Sequence, residues 1–379
     1  MTDRLHCVFL GLSITSSWGN GHATTYRGLL KELSRRGHKV TFLERDVPWY
    51  ASNREFDTAL YCDIHMYCSL EELRHSYTAL LRTADVVVVG SYVPDGVAVG
   101  NWVTSIAKNC TAFYDIDTPV TLTSLKEKRC EYVSYDLIRK YNVYFSFTGG
   151  PTLKFIEQKL GAVCARALYC SVDPSLYYPA PEPMQWDLAY LGTYAADRQP
   201  TLNELLVDVA RQQPLARFSV AGPQYPVEIE WPENVYRIEH LPARDHRNFY
   251  NSQRFTLNVT RHDMIRAGYS PSVRLFEAAA CGLAILTDEW AGLDTIFTPG
   301  SEILPVRTCE DVASYLRMPE ARRLEIGRKA RKRTLQSHTA AVRATEFETW
   351  VVSSLERIAC LRKRSRAALR ASPTVPVLQ

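Results

Sequence analysis

The stretch LHCVFLGL at residues 5–12 is a continuous apolar run of strand length, and the chain around it decides the fold. A small polar loop at residues 13–21 follows. Apolar side chains in residues 26–33 then recur at the i, i+3, i+4, i+7 spacing of an amphipathic helix. A second strand-like run, KVTFL, occupies residues 39–43. Together these segments predict a β-α-β unit.

The same alternation of apolar strands and helical stretches continues through the rest of the sequence. Clustered prolines without periodicity at residues 172–186 indicate a connector between two domains. Since this alternation is typical of parallel sheets covered on both faces, we predict an α/β fold of two doubly wound, Rossmann-like domains facing a cleft. The expected segments are residues 1–172, residues 173–339, and a final helix with a basic tail at 340–379. Further strands are expected at 84–89, 111–114, 143–147, 188–191, 218–221, 235–238, 255–259, 284–287 and 303–305.

The composition is that of a globular protein with large cores. Of the 379 residues, 46% are apolar and 23% are charged, and the net charge of +4 is too small to indicate a nucleic-acid partner. No apolar run reaches the roughly 18 residues of a membrane helix. The ten cysteines form no C-x-x-C pair and show no zinc spacing. We therefore expect a cytoplasmic protein without a zinc site or a disulfide scaffold.

The first candidate motif is the loop SSWGNGH at residues 16–22. Glycines between a strand and a helix let backbone amides approach an anion. That arrangement would suit a dinucleotide, with Glu44 after the second strand as the ribose ligand. However, the gap from Gly11 to Gly19 is longer than in the G-x-G-x-x-G fingerprint, so the loop reaches into the cleft. His22 is either a helix cap or a catalytic group.

A second motif, LGTYAADRQP, occupies residues 191–200 at the start of the second domain. It is a strand end followed by a loop that carries one arginine, Arg198. A cation in that position can neutralise a diphosphate held at a neighbouring helix terminus. The alternative is a surface ion pair between Asp197 and Arg198.

The third motif is SPSVRLFEAAACG at residues 270–282. Ser270 suits an N-cap, Pro271 a first helical turn and Gly282 the position after a helix. Glu277 lies in the apolar body of this helix, where a carboxylate is costly to bury without a donor. The hydroxyls of a ribose would supply such donors. Alternatively, Glu277 pairs with Arg274 or with a cation on another helix.

With further segments, these motifs carry a family resemblance. The sequence resembles glycosyltransferases of the GT-B fold, and in particular the spore-maturation CgeB-like family, over roughly residues 5–345. The matching segments are residues 17–27, 42–46, 114–119, 190–200, 220–223, 255–264 and 267–282.

The resemblance implies transfer of a sugar from a nucleotide diphosphate sugar, with a UDP-sugar favoured, which is bound mainly by the second domain. It implies no cofactor and no metal, since GT-B catalysis generally uses basic groups and helix dipoles. The first domain would bind the acceptor, which is a small molecule, a lipid or a glycan. A peripheral membrane contact is allowed, and nucleic acid is not expected. The helix at residues 340–361 would cross back onto the first domain.

The resemblance also assigns roles to residues. Glu277 matches the second glutamate of an E-x7-E pattern and would bind the ribose, whereas the first glutamate falls at Tyr269, which is not acidic. Asp117 is a general base, an acceptor contact or a cap of the following turn, and Asp115 is its structural partner. The catalytic set is His22, Asp117, Arg198 and Arg261. The donor-binding set is Gly19, Asn20, Gly21, Thr193, Tyr194, Arg198, Gly222, Ser270, Ser272, Arg274 and Glu277.

Two other functions are compatible with the sequence. If Glu44 binds a ribose, the protein is a dinucleotide-dependent oxidoreductase or a nucleotide-sugar epimerase. If Tyr269 replaces an essential carboxylate, the protein is a non-catalytic nucleotide-sugar binder. The basic run at residues 328–333, with Arg322 and Arg323, is either a solvated helix face or a contact for an anionic surface or acceptor.

Overall fold

The computed structural model describes residues 4–17, 21–56, 58–59 and 61–371, with side chains as far as Ser365. Within these ranges the strands form two parallel sheets. The first has the order β3-β2-β1-β4-β5-β6-β7, which places the reversal of strand order between β1 and β4. Its strands are β1 (His6–Gly11), β2 (Lys39–Arg45), β3 (Asp63–Tyr67), β4 (Val86–Gly90), β5 (Cys110–Asp115), β6 (Val143–Ser146) and β7 (Ala165–Ala167).

The second sheet repeats this plan with the order β10-β9-β8-β11-β12-β13. Its reversal point lies between β8 and β11, and ligands of open α/β sheets bind outside the carboxyl ends of the strands at such points. The strands are β8 (Trp186–Leu191), β9 (Phe218–Ala221), β10 (Val235–Ile238), β11 (Gln253–Asn258), β12 (Ala284–Thr287) and β13 (Leu304–Pro305).

Helices cover both faces of each sheet. In the first domain they are α1 (His22–Arg35), α2 (Pro48–Ala51), α3 (Leu70–Thr83), α4 (Gly96–Ile106), α5 (Thr118–Lys126), α6 (Tyr135–Ile138) and α7 (Pro151–Gln158). In the second they are α8 (Gln199–Leu202), which continues as a π-helical turn (Asn203–Val207), α9 (Asp208–Gln212), α10 (His246–Asn251), α11 (His262–Ala267), α12 (Val273–Ala280), α13 (Leu293–Ile296), α14 (Cys309–Leu316) and α15 (Glu320–Ser337). A 3-10 turn (Ala243–Asp245) precedes α10, and α16 (Ala340–Ala371) ends the described chain.

The valines of β4 show why these strands are apolar throughout. Val86 and Val88 pack into the layer that contains α1 and α16, whereas Val87 and Val89 pack into the opposite layer. Successive side chains of a strand point to opposite faces, so a strand covered on both faces needs apolar residues at every position. The predicted alternation of parallel strands and helices is therefore confirmed.

The final helix returns to the first domain, as expected. It begins beside the connector, where the Ala340 amide donates to the Val172 carbonyl at 3.0 Å. Phe347 and Val351 are fully buried in the layer beneath α1, and Phe347 stacks on Phe9 with 5.7 Å between ring centres. The helix extends to Ala371, ten residues past the expected end at 361.

Two edge strands and one helix start differ from the expectations. Strands β3 and β7 were not predicted, because β3 alternates exposed and covered residues at one edge and β7 has only three residues at the other. Helix α12 begins at Val273 after the N-cap Ser272, not after Ser270. The Ser270 hydroxyl instead accepts a hydrogen bond at 3.0 Å from Thr148, a residue of the first domain.

Candidate active site in the interdomain cleft

A cleft of about 690 Å³ lies between the carboxyl ends of the two sheets. It is lined by the loops that follow β1, β5, β8, β9, β10 and β11, because all strands of a parallel sheet deliver their loops to one edge. Tyr194 is not part of the lining, since its ring packs against Tyr225 with 5.5 Å between centres. Gly19 and Asn20 lie outside the described residues. The expected site residues in the lining are Gly21, His22, Asp117, Thr193, Arg198, Gly222, Arg261, Ser270, Ser272, Arg274 and Glu277.

Arginines dominate the part of the cleft formed by the second domain, which we call the second-domain wall (Arg198, Arg261, Arg274 and Glu277). Arg274 donates to the Leu191 carbonyl at 2.6 Å, and Arg198 donates to the Thr193 carbonyl. Among the described residues, neither Arg198 nor Arg274 has a carboxylate within 4.0 Å. The alternative pair with Asp197 is not formed, because that carboxylate accepts from the His262 amide at 3.0 Å.

The environment of Arg198 is that of an anion site. Burial and the positive charge of Arg274 lower the pKa of Arg198 below its usual range. Its Nε is buried and finds no hydrogen-bond partner among the described residues. A partly buried cation with a spare donor beside a second cation would be stabilised by a bound anion, and a diphosphate presents the required charge and acceptors.

Two glycines allow the loops of this wall to approach each other. A Cβ at Gly192 would lie 2.3 Å from Nη1 of Arg274, and a Cβ at Gly222 would lie 2.1 Å from the Gly192 carbonyl oxygen. Gly222 also has a φ of +140°. At Gly222 only glycine fits both the space and the backbone conformation, and the absence of a side chain at Gly192 leaves room for the Arg274 guanidinium beside the end of β8.

Glu277 is 4% exposed and presents its carboxylate to the cleft from α12. The Tyr250 hydroxyl donates to its Oε2 at 3.4 Å, and Tyr177 also hydrogen-bonds to it. No Lys or Arg of the described chain pairs with this carboxylate within 4.0 Å, so the alternative ion pair with Arg274 is not formed. A carboxylate in this position can accept hydrogen bonds from ligand hydroxyls.

His22, Asp117 and Phe147 form the facing part of the cleft, the first-domain wall. His22 is the first residue of α1, directly after the N-cap Gly21. Its ring lies parallel to Tyr92 at 6.0 Å and edge-on to Phe147 at 6.3 Å. Burial lowers the pKa of His22; the Asp117 carboxylate opposes this shift and Arg261 adds to it. A neutral imidazole can accept a proton.

Asp117 and Asp115 have different surroundings. The Asp117 side chain makes no capping bond to α5; its Oδ2 accepts from the Tyr92 hydroxyl at 2.9 Å and lies 3.6 Å from Nη1 of Arg261 across the cleft. Asp115 is fully buried and accepts from Tyr144 at 2.5 Å and Thr121 at 2.6 Å. Burial raises the pKa of Asp115 to about 6. Asp117 therefore faces the cleft, and Asp115 supports it from within.

Glu44 has a structural role in the loop after β1. It is fully buried, and its two oxygens accept hydrogen bonds from the Ser13 hydroxyl, the Ile14 amide and both the amide and hydroxyl of Thr15. These four bonds shape the loop after β1. A carboxylate engaged in this way is not placed to bind a ribose, which removes the feature that favoured a dinucleotide-dependent enzyme.

Tyr269 connects the two domains instead of lining the cleft. It has a left-handed backbone, with φ +49°, and its amide donates to the Ala291 carbonyl at 2.6 Å. A Cβ at Gly150 or at Gly292 would lie 2.4 Å from its ring, so the ring is inserted between glycines of both domains. At the first position of the E-x7-E pattern the chain thus has an interdomain contact and no carboxylate.

Several lining residues were not anticipated. They come from segments 53–55 and 240–243. Neither segment contains a recognisable motif, and each reaches the cleft only because of where its loop lies in the folded protein. Among the described residues, no group of three or more His, Cys, Asp or Glu side chains could hold a metal ion. In the part of the chain that the structure describes, no helix has the length and apolar character needed to cross a membrane.

Comparisons with known proteins agree with this architecture. Residues 198–349 match a family model described as glycosyl transferase-like. Curated protein sequences give no match. Among solved structures, sucrose-phosphate synthase from Thermosynechococcus elongatus is 12% identical and has a TM-score of 0.64, with coverage of 96% of this chain and 100% of the other.

Two further structures were determined with nucleotides. Anabaena HepE in complex with UDP-glucose is 12% identical, with a TM-score of 0.66 and coverage of 93% and 100%. An alpha-glucosyltransferase in complex with UDP and DNA is 13% identical, with a TM-score of 0.70 and coverage of 93% and 100%. The chain therefore has the GT-B fold, as the sequence predicted.

Proposed function

We propose that the protein is a glycosyltransferase that transfers a sugar from a nucleotide diphosphate sugar to an acceptor bound at the first domain. The observation that carries this proposal is the second-domain wall, where Arg198 and Arg274 face the cleft without a carboxylate partner among the described residues. The fold similarity to proteins solved with UDP and UDP-glucose supports a UDP-sugar as the donor.

We assign the leaving diphosphate to the arginines. Arg198 and Arg261 would stabilise the charge that develops on the diphosphate. Arg274, which is held at the end of β8, would keep the diphosphate in position. Fixed cations in a partly desolvated cleft can supply the stabilisation that a metal ion supplies elsewhere, so we propose a metal-independent reaction without a cofactor. Glu277 would accept hydrogen bonds from the ribose hydroxyls of the donor.

The first-domain wall would activate the acceptor. Its hydroxyl proton would pass to His22 or to Asp117, which are both close to the arginines across the cleft. A general base in this position typically contributes a factor of about 10²–10⁴ to the rate. The acceptor would be a small molecule, a lipid or a glycan.

A nucleotide panel tests the donor assignment. Thermal shifts are measured with UDP, UDP-glucose, GDP-mannose and NAD, for the wild type and for Arg198→Ala. We expect UDP and a UDP-sugar to raise the melting temperature of the wild type, because a ligand that binds only the folded state stabilises it, and NAD to leave it unchanged. Arg211→Ala, at an exposed arginine of α9 paired with Asp208, is the matched control. Protection by NAD and not by UDP would contradict the proposal.

Turnover separates an enzyme from a binder. Slow release of UDP from the stabilising UDP-sugar in the absence of acceptor supports catalysis, whereas tight binding without any release favours a non-catalytic nucleotide-sugar binder. Finer assignments that we also propose are a hexosyltransferase of the CgeB-like family and a cytoplasmic location.

A peripheral membrane contact would use the end of α16. Residues 359–365 of this helix are all exposed and include Arg362, Lys363 and Arg364, and the sequence has no acidic residue after Glu356. The basic run of α15 is less suited, because Arg333 pairs with Glu302 at 3.1 Å and Arg331 donates to the Ala280 carbonyl. Basic residues near an anionic leaflet contribute about 1 kcal/mol each.

Vesicle sedimentation tests this contact. The wild type should sediment with phosphatidylserine vesicles and not with phosphatidylcholine vesicles, and added salt should reverse the binding. Reversing the charges of Arg362, Lys363 and Arg364 to Glu should abolish sedimentation, while the same reversal of Arg328 and Lys332 on α15 should not. Equal recovery with both lipids would rule the contact out.

A further inference from the structure

We propose that Tyr92 is a positioning residue for the transfer reaction. Its side chain holds Asp117 and His22 in a fixed position relative to each other. This inference rests on the proposed function. Tyr92 follows β4, does not line the cleft itself, and has no motif in the sequence.

The backbone of Tyr92 indicates that its place is imposed by the surrounding structure. Its φ is +64°, in the left-handed region, where residues other than glycine are uncommon and bulky ones are rare. Such conformations persist only where neighbouring contacts over-determine them, and they cluster at functional sites. Here the conformation directs the side chain towards the first-domain wall.

Tyr92 contacts both groups that could act as the base. Its hydroxyl donates to Oδ2 of Asp117 at 2.9 Å, and its ring lies parallel to the His22 ring, 6.0 Å between centres and 17° between planes. On its other side it packs against Tyr132, with 4.8 Å between ring centres. A single side chain therefore hydrogen-bonds to the carboxylate and packs beside the imidazole.

The Tyr132 ring that packs against Tyr92 is itself fixed. The Tyr132 hydroxyl donates to the Thr121 hydroxyl at 2.8 Å, which in turn donates to Asp115 at 2.6 Å. Asp115 is completely buried. The ring against which Tyr92 packs is therefore anchored to a buried carboxylate deep in the first domain.

The substitution Tyr92→Phe removes the hydroxyl and keeps the ring. The lost hydrogen bond is to a charged group, and we expect kcat to fall about 10- to 100-fold. The KM for the donor should stay the same, because the donor is assigned to the opposite wall. Tyr132→Phe keeps the ring against which Tyr92 packs and removes only the bond to Thr121, so its kcat should fall less.

The control is Tyr141→Phe. The Tyr141 hydroxyl is buried in the same domain and has no hydrogen-bond partner among the described residues. This variant should retain wild-type kcat, so it separates the loss of a specific hydrogen bond from the general effect of removing a buried tyrosine hydroxyl.

A double-mutant comparison decides whether Tyr92 acts through Asp117. If it does, Tyr92→Phe should add little to the loss caused by Asp117→Asn, whereas independent roles would give multiplicative losses and overturn the inference. Unchanged kcat in Tyr92→Phe would also overturn it while leaving the proposed function intact. If the wild type transfers no sugar, the proposed function fails first and the inference fails with it.

Discussion

The two walls of the cleft come from sheets with the same strand order, yet they present different chemistry. The second-domain wall is cationic, and two of its arginines are fixed by backbone carbonyls, Arg274 by Leu191 at 2.6 Å and Arg198 by Thr193. The first-domain wall combines an imidazole with a carboxylate, backed by aromatic rings and buried hydroxyls. The shared scaffold therefore does not specify the chemistry. The loops at the carboxyl ends of the strands do.

This difference predicts that substitutions on opposite walls change different kinetic constants. The largest effect is expected for His22→Gln, on the first-domain wall. If His22 is the base, kcat should fall about 10²–10⁴-fold while the affinity for UDP stays the same. The measurement is steady-state kinetics together with calorimetric titration of UDP. His65→Gln, an exposed histidine of edge strand β3, is the control. A loss of UDP affinity in His22→Gln would mean that the division between the walls is wrong.

The next largest effect concerns stability and distinguishes the two domains. The first domain depends on α16 to complete its core, since Phe347 is fully buried against Phe9 and Phe145. Phe347→Ala should lower the free energy of unfolding by about 3–5 kcal/mol, because it leaves a cavity. Denaturant titration measures this loss, with Phe155→Ala on the half-exposed side chain of α7 as the control. Equal losses in the two variants would show that α16 is dispensable for the first domain.

Arg198→Ala tests the second-domain wall and should weaken donor binding by about 1.5–3 kcal/mol, roughly 10- to 100-fold in Kd. The expected cause is the loss of a partly buried cation with an unused donor at the proposed diphosphate site. Calorimetric titration of UDP into the wild type, Arg198→Ala and the α9 control Arg211→Ala gives the comparison. An unchanged Kd would remove Arg198 from the donor site.

The smallest predicted effect is on the pH dependence of stability, at the junction of α16 and the first domain. Glu348 accepts from His38 at 2.6 Å and from Arg36. Burial alone would raise the pKa of Glu348, but the hydrogen bonds from Arg36 and His38 outweigh it and hold the pKa below 4.5. A carboxylate with a lowered folded-state pKa stabilises the protein above its unfolded-state pKa, and this contribution is lost as the pH falls through the folded-state value.

Urea titrations at pH 7 and near pH 4 test this linkage. The wild type should lose stability at the lower pH, and Glu348→Gln should be less stable at pH 7 but show a smaller further loss. Glu356→Gln, an exposed position on the same helix, should behave like the wild type. If Glu348→Gln retains the full pH dependence, other carboxylates are responsible for it.

Much of the second-domain wall was predictable from the sequence. Glu277 lies in the apolar body of a helix, where a carboxylate is costly to bury unless it has a partner or a ligand. Arg198 lies in the loop after a strand end, where a cation can neutralise a bound diphosphate. The first-domain wall was predictable only in part. His22 and Asp117 were recognised from their positions after strands, but only the observed contacts showed that Asp117 makes no capping bond and lies near Arg261 across the cleft.

The sequence by itself determined the alternation of strands and helices and the central strands of both sheets. These features depend on local periodicity and on continuous apolar runs, which every residue in a segment helps to specify. Only the tertiary structure decided that Glu44 supports the loop after β1, that Tyr269 lies between glycines of two domains, and that Tyr92 reaches Asp117. The physical reason is that the role of a polar side chain depends on its hydrogen-bond partners. The partners of these three residues are distant in the chain and meet only after the sheets and loops have formed.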